Sequence, residues 1–217
     1  MSRKRVAILI SGRGSNMAAL IAAAKDPAFP AEIAVVISNR PDAAGLARAR
    51  KAGLAVATID HRPFGKDRAA FEAVLSRELD AHNIDLICLA GFMRLFTADF
   101  VNAWNGRMLN IHPSLLPSFA GLDPHGQALR TGVKISGATV HFVIPETDAG
   151  PIVAQIAVPV AEDDTTDTLA ARVLSAEHRI YPMALRLVAE GRVRIEGDRC
   201  AIAGTIPTLS ELLVPHA

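Results

Sequence analysis

The chain has 217 residues, half of them hydrophobic, which suffices for one sizeable core and implies one domain over 1–217. Its 23 basic and 22 acidic residues leave a formal charge of +1 with no polybasic face, so nucleic acid is not an expected partner. No stretch of about 20 apolar residues is there to span a membrane, and the basic start Arg3-Lys4-Arg5 precedes an apolar run too short for a signal peptide. Cys88 and Cys200 lie far apart and outside any metal-ligand spacing. No disulfide framework and no metal are expected, and a reducing cytoplasm is the expected setting.

Residues 6–10 form a short, solid apolar run, the mark of a strand covered on both faces. A glycine-rich turn leads to an alanine-rich helix over about 15–24. A second strand over 33–37 is followed by a loop and a helix over 43–52 that Gly53 stops. Residues 55–59 are the third strand. Residues 67–82 are an amphipathic helix with Phe71, Val74, Leu75 and Leu79 on one stripe. Strand 86–90 and helix 97–104 precede a central strand at 108–111. A loop through Gly121, a short helix over 125–131, strands at 138–143 and 152–160, a helix over 167–189 and a hairpin opening at 193–195 complete the chain. Alternating strands and helices imply right-handed βαβ units. The expected fold is α/β: a Rossmann-like, mostly parallel twisted sheet of about seven strands with helices on both faces.

Three stretches carry candidate chemistry. Ser11-Gly12-Arg13-Gly14-Ser15-Asn16 joins the first strand to the first helix. Its glycines let a ligand approach the backbone, and the N–H groups of a helix start favour an anion. Ser15 or Asn16 could cap that helix or bond phosphate oxygens. A dinucleotide site fails, because the third glycine of GxGxxG would fall at Met17 and strand two ends in Ser38-Asn39, without an acid for a ribose hydroxyl. A small phosphate ester remains, or a plain strand-to-helix turn. In Met108-Leu109-Asn110-Ile111-His112-Pro113, Asn110 and His112 share one face of a strand, and Pro113 forces the chain off the ladder. An amide donor beside an imidazole suits a carbonyl oxygen on which negative charge develops; the alternative is a pair that satisfies a turn. Finally, Pro145-Glu146-Thr147-Asp148-Ala149-Gly150-Pro151 reads as a tight loop. From it Asp148 could accept a bond from His112 and favour its charged form, or bond only its own turn.

These motifs, with Gly91-Phe92-Met93-Arg94, Ser114-Leu115-Leu116-Pro117, Gly121-Leu122 and Gln127-Ala128-Leu129, stand in an order that resembles the phosphoribosylglycinamide formyltransferases, folate-dependent enzymes of purine synthesis. The resemblance runs from about residue 6 to 195. The block from Asn110 to Pro117 is shared by formyltransferases as a superfamily, and Gly14-Ser15-Asn16 with its preceding Ser11-Gly12 narrows it to the glycinamide ribonucleotide branch. The resemblance implies transfer of a formyl group from 10-formyltetrahydrofolate, a co-substrate, to the amine of glycinamide ribonucleotide, by a monomer or homodimer. It implies Asn110, His112 and Asp148 as catalytic residues. It puts the substrate phosphate on Gly14, Ser15 and Asn16, and the ribose side near Leu174 and Glu177. Its folate site comprises Arg68, Met93, Arg94, Leu95, Phe96, Asn110, Ile144, Pro145, Glu146, Thr147 and Asp148, with Arg68 meeting the carboxylate tail.

Taken alone, Glu177 is a solvated helix glutamate, Arg68 a surface arginine, Phe92 and Met93 core residues, and His141 a satisfied strand histidine. His125 lies in the stretch after Pro117, expected to be mobile and to close over substrate. There Asp123-Pro124 and Gly126 replace the Thr-His and Arg of some relatives. Rival readings are formyltetrahydrofolate hydrolase, which usually carries an extra N-terminal domain, methionyl-tRNA formyltransferase, which carries a C-terminal domain and a basic surface, and a non-catalytic phosphate-ligand module. Neither extra domain is expected in this chain.

Overall fold

The computed structural model describes residues 3–204. The apolar runs become strands whose alternate side chains serve two layers. In β1 (Lys4–Ile10), Val6, Ile8 and Ile10 face one way and Ala7 and Leu9 the other, all buried. That is why the run is apolar without alternation. The first layer is α1 (Ser15–Ala24), α2 (Ala44–Lys51) and α6 (Thr166–Ala189), which contribute Met17, Leu20, Leu46, Ile180 and Tyr181. The second is α3 (Arg68–Ala81) and α4 (Ala98–Ala103), which contribute Phe71, Leu75, Leu79 and Phe100. Asp67, Thr97 and Thr165 start their helices by accepting a backbone N–H of the first turn.

β1 runs parallel to β2 (Ala31–Ser38) and β4 (Leu86–Leu89); β2 is parallel to β3 (Ala55–Thr58), and β4 to β5 (Met108–His112). β6 (Ile135–Phe142) and β7 (Ile152–Pro159) join antiparallel. The order is β3-β2-β1-β4-β5-β6-β7, a seven-stranded, mostly parallel α/β sheet with helices on both faces, as the alternation implied. β4 is its middle strand. β5 is one place off centre, a correction to the expected central position, because only the β6–β7 hairpin lies beyond it. β6 also starts three residues earlier than its hydrophobicity suggests, since β7 pairs with it as far as Ile135 opposite Pro159. Arg62–Phe64 forms a 3-10 turn that periodicity does not register. α5 (Pro124–Thr131) and a small hairpin of β8 (Val193–Glu196) and β9 (Arg199–Ile202) complete the described chain. Among the described residues no helix is long and apolar enough to cross a membrane.

Two features position the site. The chain leaves β1 for β2 on one side while β4 flanks β1 on the other, so a crevice opens where the C-terminal ends of β1 and β4 meet. α6 is held over that region by Tyr181, fully buried, whose hydroxyl donates to the carbonyls of Leu89 (3.0 Å) and Leu109 (3.1 Å).

Candidate active site

The crevice holds a cavity of about 460 Å³ walled by residues 11–16, Asn39, Arg40, His61, Ala90, Gly91 and Met93. Gly14 is the N-cap of α1, in the left-handed conformation (φ 68°), and no side chain caps this helix. Ser15 and Asn16, both candidates for the cap, are not used as one. The first-turn N–H groups therefore remain for a ligand. A Cβ on Gly14 would lie 2.9 Å from Met17 Cε and 3.2 Å from the Cα of Gly45, whose own N–H bonds the Gly12 carbonyl at 3.0 Å. Glycine is thus required twice over, for its φ and for this close approach. Asn16 donates from Nδ2 to Glu177 Oε2 at 2.8 Å, and its Oδ1 is buried without a partner. Glu177 is buried on α6, not solvated, and burial pushes its carboxyl above the usual range, against the lowering effect of the Asn16 bond. Leu174 is half-buried, and neither it nor Glu177 is a wall of the cavity.

β5 delivers the second group. Leu109 and Ile111 face the α1–α6 layer, which turns Met108, Asn110 and His112 to the other side. His112 Nδ1 stands 3.4 Å from Asp148 Oδ2, and both side chains are 9% exposed. His112 Nε2 is 3.0 Å from the Phe119 carbonyl, so each ring nitrogen faces an acceptor, an arrangement that an imidazolium satisfies in full. Asp148 adopts φ 54° and also accepts the Gly121 N–H at 2.9 Å. Its loop turns back tightly enough that a Cβ on Gly150 would collide with the Phe142 carbonyl. Asn110 lies opposite His141 in the β5–β6 register. His141 Nδ1 donates to the Phe142 carbonyl (2.9 Å), and its Nε2 meets Asn110 Nδ2 at 3.2 Å. Burial, partly opposed by the Phe142 carbonyl and Asp148, lowers the tendency of His141 to protonate. Neutral, with Nδ1 carrying its proton, it accepts from Asn110 and fixes which end of that amide is which. His112 and Asp148 are not cavity walls, because the 118–123 loop lies over them through Phe119 and Gly121. His125 is in the first turn of α5; burial lowers its tendency to protonate, and its Nδ1 is buried without a partner.

Of the folate candidates, Met93 lines the cavity. Phe92 stacks on Phe96 (centroids 5.3 Å apart) and Phe96 on Phe100 (4.7 Å), so Phe92 and Phe96 join the α3–α4 core. Met93 is not core: it is 78% exposed, as Leu95 (57%) and Leu122 (88%) are. Arg94 lies over the Phe71 ring at 4.8 Å, its Nε buried without a partner. Arg68 is exposed at the first residue of α3; Ile144 is half-buried, and Pro145, Glu146 and Thr147 are exposed.

Ser11 links two of these segments. Its N–H bonds the Gly91 carbonyl (3.0 Å), and its hydroxyl accepts the Met93 N–H (2.8 Å) while donating to Asn39 Oδ1 (2.6 Å). It clips the anion turn to the Met93 wall. Asn39 in turn accepts at its carbonyl from His61 Nδ1 (2.8 Å). Nothing in the sequence flags Asn39 or His61, whose partners lie on other strands; Ser11 is signalled only as the first residue of the glycine turn.

The chain is 43% identical to the phosphoribosylglycinamide formyltransferase of Escherichia coli (strain K12), over 92% of this chain and 93% of that protein. It is 52% identical to the trifunctional purine biosynthetic protein adenosine-3 of Bos taurus over 89% of this chain, which spans only 19% of that protein's length. The crystal structure of glycinamide ribonucleotide transformylase 1 from Symbiobacterium toebii superposes with a TM-score of 0.90 at 50% identity, covering 93% of this chain and 95% of that one. The formyl transferase family model matches residues 4–185. This chain belongs to the formyl transferase family.

Proposed function

We propose that the chain moves the formyl group of 10-formyltetrahydrofolate onto the amine of N1-(5-phospho-D-ribosyl)glycinamide, releasing the N2-formyl product and tetrahydrofolate, in purine biosynthesis. The observation that carries this reading is the pairing of His112 with Asp148 at the end of β5, with Asn110 on the same strand face and bonded to His141, at the end of the sheet where the glycine turn of β1 offers its N–H groups. A phosphate at Gly14, Ser15 and Asn16 puts the other end of the substrate toward Gly91 and Met93 along the cavity. The exposed Met93 and Leu95 offer apolar surface to a flat ring such as a pterin, with Arg94 beside them. Ile144 to Asp148 complete that side, and Arg68 takes the carboxylate tail.

In the reaction the amine nitrogen attacks the formyl carbon, forming the new C–N bond as the carbonyl electrons move onto oxygen. Asn110, its amide held by His141, and His112 donate to that oxygen. The bond from carbon to the folate nitrogen then breaks. His112 supplies that nitrogen with its proton, and the proton lost by the amine leaves toward Asp148 through water. For this the Phe119 carbonyl must yield His112 Nε2 to the substrate, so the 118–123 loop moves as substrate enters. The chain does this as one domain, in the cytoplasm, as a monomer or homodimer and without a metal.

The test is absorbance of the folate after mixing with enzyme, with and without glycinamide ribonucleotide. Turnover that requires the amine is expected. Turnover without it would make the chain a formyltetrahydrofolate hydrolase, and no turnover would leave a binding module.

A further inference from the structure

We propose that Arg13 is the cation that binds the phosphate of the amine substrate, a specificity-determining residue at the mouth of the β1 turn. This rests on the formyl-transfer reading for the identity of the phosphate ester, and on the structure for the charge. The donors around the turn are incomplete for a dianion. Backbone N–H groups and the Ser15 hydroxyl bring partial charge only. The Asn16 amide has its Nδ2 on Glu177, and its other end, Oδ1, is an acceptor that has nothing to donate to a phosphoryl oxygen. Leu174 has no charge to give.

The cavity wall contains no carboxylate side chain and two arginines, Arg13 and Arg40. Arg40 is already engaged: its Nε and Nη2 reach the two oxygens of Asp42 at 3.3 and 3.0 Å, and that bond holds the Asp42 carboxyl below its usual range. Arg13 makes no side-chain hydrogen bond or ion pair among the described residues, and it is exposed between Gly12 and Gly14 on the turn itself. A guanidinium there can fork onto two phosphoryl oxygens while the α1 N–H groups hold the third.

Arg13→Ala and Arg13→Lys test this, with folding checked by circular dichroism; the side chain is exposed, so both variants should fold. Removing one charge-assisted contact should raise KM for glycinamide ribonucleotide by about 10–100-fold. It should weaken competitive inhibition by inorganic phosphate by a similar factor. Saturating kcat and KM for 10-formyltetrahydrofolate should stay within about threefold of wild type, and Arg13→Lys should recover part of the loss. Direct titration of inorganic phosphate into wild type and Arg13→Ala, without folate, reads the same contact independently of turnover. A wild type that binds phosphate yet never uses the amine would sink the transferase reading alone. Phosphate affinity and amine KM in Arg13→Ala within about twofold of wild type would overturn the role of Arg13.

Discussion

Asn110 and His112 owe their common direction to strand geometry, but their chemistry depends on neighbours from elsewhere in the chain. Removing either donor from a developing oxyanion costs about 10²–10³ in kcat. Asn110→Ala and His112→Ala should therefore be almost inactive at saturating substrate yet retain the wild-type circular dichroism spectrum. His141 acts on Asn110 and not on the reacting atoms. His141→Phe should lower kcat by about tenfold, the loss of one orienting hydrogen bond, and His141→Gln, whose carbonyl oxygen can accept from Asn110, should restore part of it. Glu177 carries a stability cost. Its folded carboxyl titrates above the unfolded one, so the folded state binds the extra proton and stability falls as pH rises from about 4.5, the ordinary value, through the raised one. Glu177→Gln should melt at a higher temperature than wild type at pH 7, a gain that vanishes below pH of about 4, while KM for the amine substrate rises. Equal melting temperatures at pH 7 would show that the Asn16 bond already offsets the burial.

At the scale of elements, the loop from β6 to β7 illustrates how backbone sets chemistry. Asp148 reaches His112 only because the chain reverses at Gly150, pressed against the Phe142 carbonyl, and because residue 148 itself accepts φ 54°. Gly150→Ala should displace the loop, cost on the order of 2 kcal/mol or more in denaturant unfolding, and reduce kcat far more than an exposed alanine substitution. The loop from β5 to α5 shows the same tendency, with Phe119 at φ 57° and Asp123 at φ 55°. Asp123 Oδ1 accepts the Gly126 N–H at 3.1 Å, and any Cβ at residue 126 would strike that carboxylate, so Asp123 and Gly126 are a matched pair.

Over the whole molecule, the glycine turn after β1 and the segment around Met93 are tied together. Ser11 ties β1 to the segment after β4 by two bonds, and Asn39 brings in the end of β2. Ser11→Ala should raise KM for both substrates several-fold, on the scale of one or two lost buried hydrogen bonds of about 1 kcal/mol each; a change confined to one substrate would show that the clip couples nothing. The sheet order sets this arrangement, since the ends of β1, β4 and β5 stand side by side although they are far apart along the chain.

The elements were legible because their signals are local. A solid apolar run of five residues marks a strand covered on both faces, the stripe of Phe71, Leu75 and Leu79 falls on one face of a helix, and Pro113 has no N–H to give a ladder. The residues proposed for chemistry were legible as a set, through their motif order, and Asn110 with His112 through strand alternation. What the sequence could not decide were contacts between segments remote along the chain. His141 became the partner of Asn110 only through the β5–β6 register. Met93 proved exposed because its neighbours Phe92 and Phe96 took the core positions, and Glu177 proved buried because α6 packs against α1. Hydrophobicity and turn chemistry act within a few residues and are written in the chain; register, burial of individual polar groups and hydrogen bonds between distant loops exist only after the layers have packed.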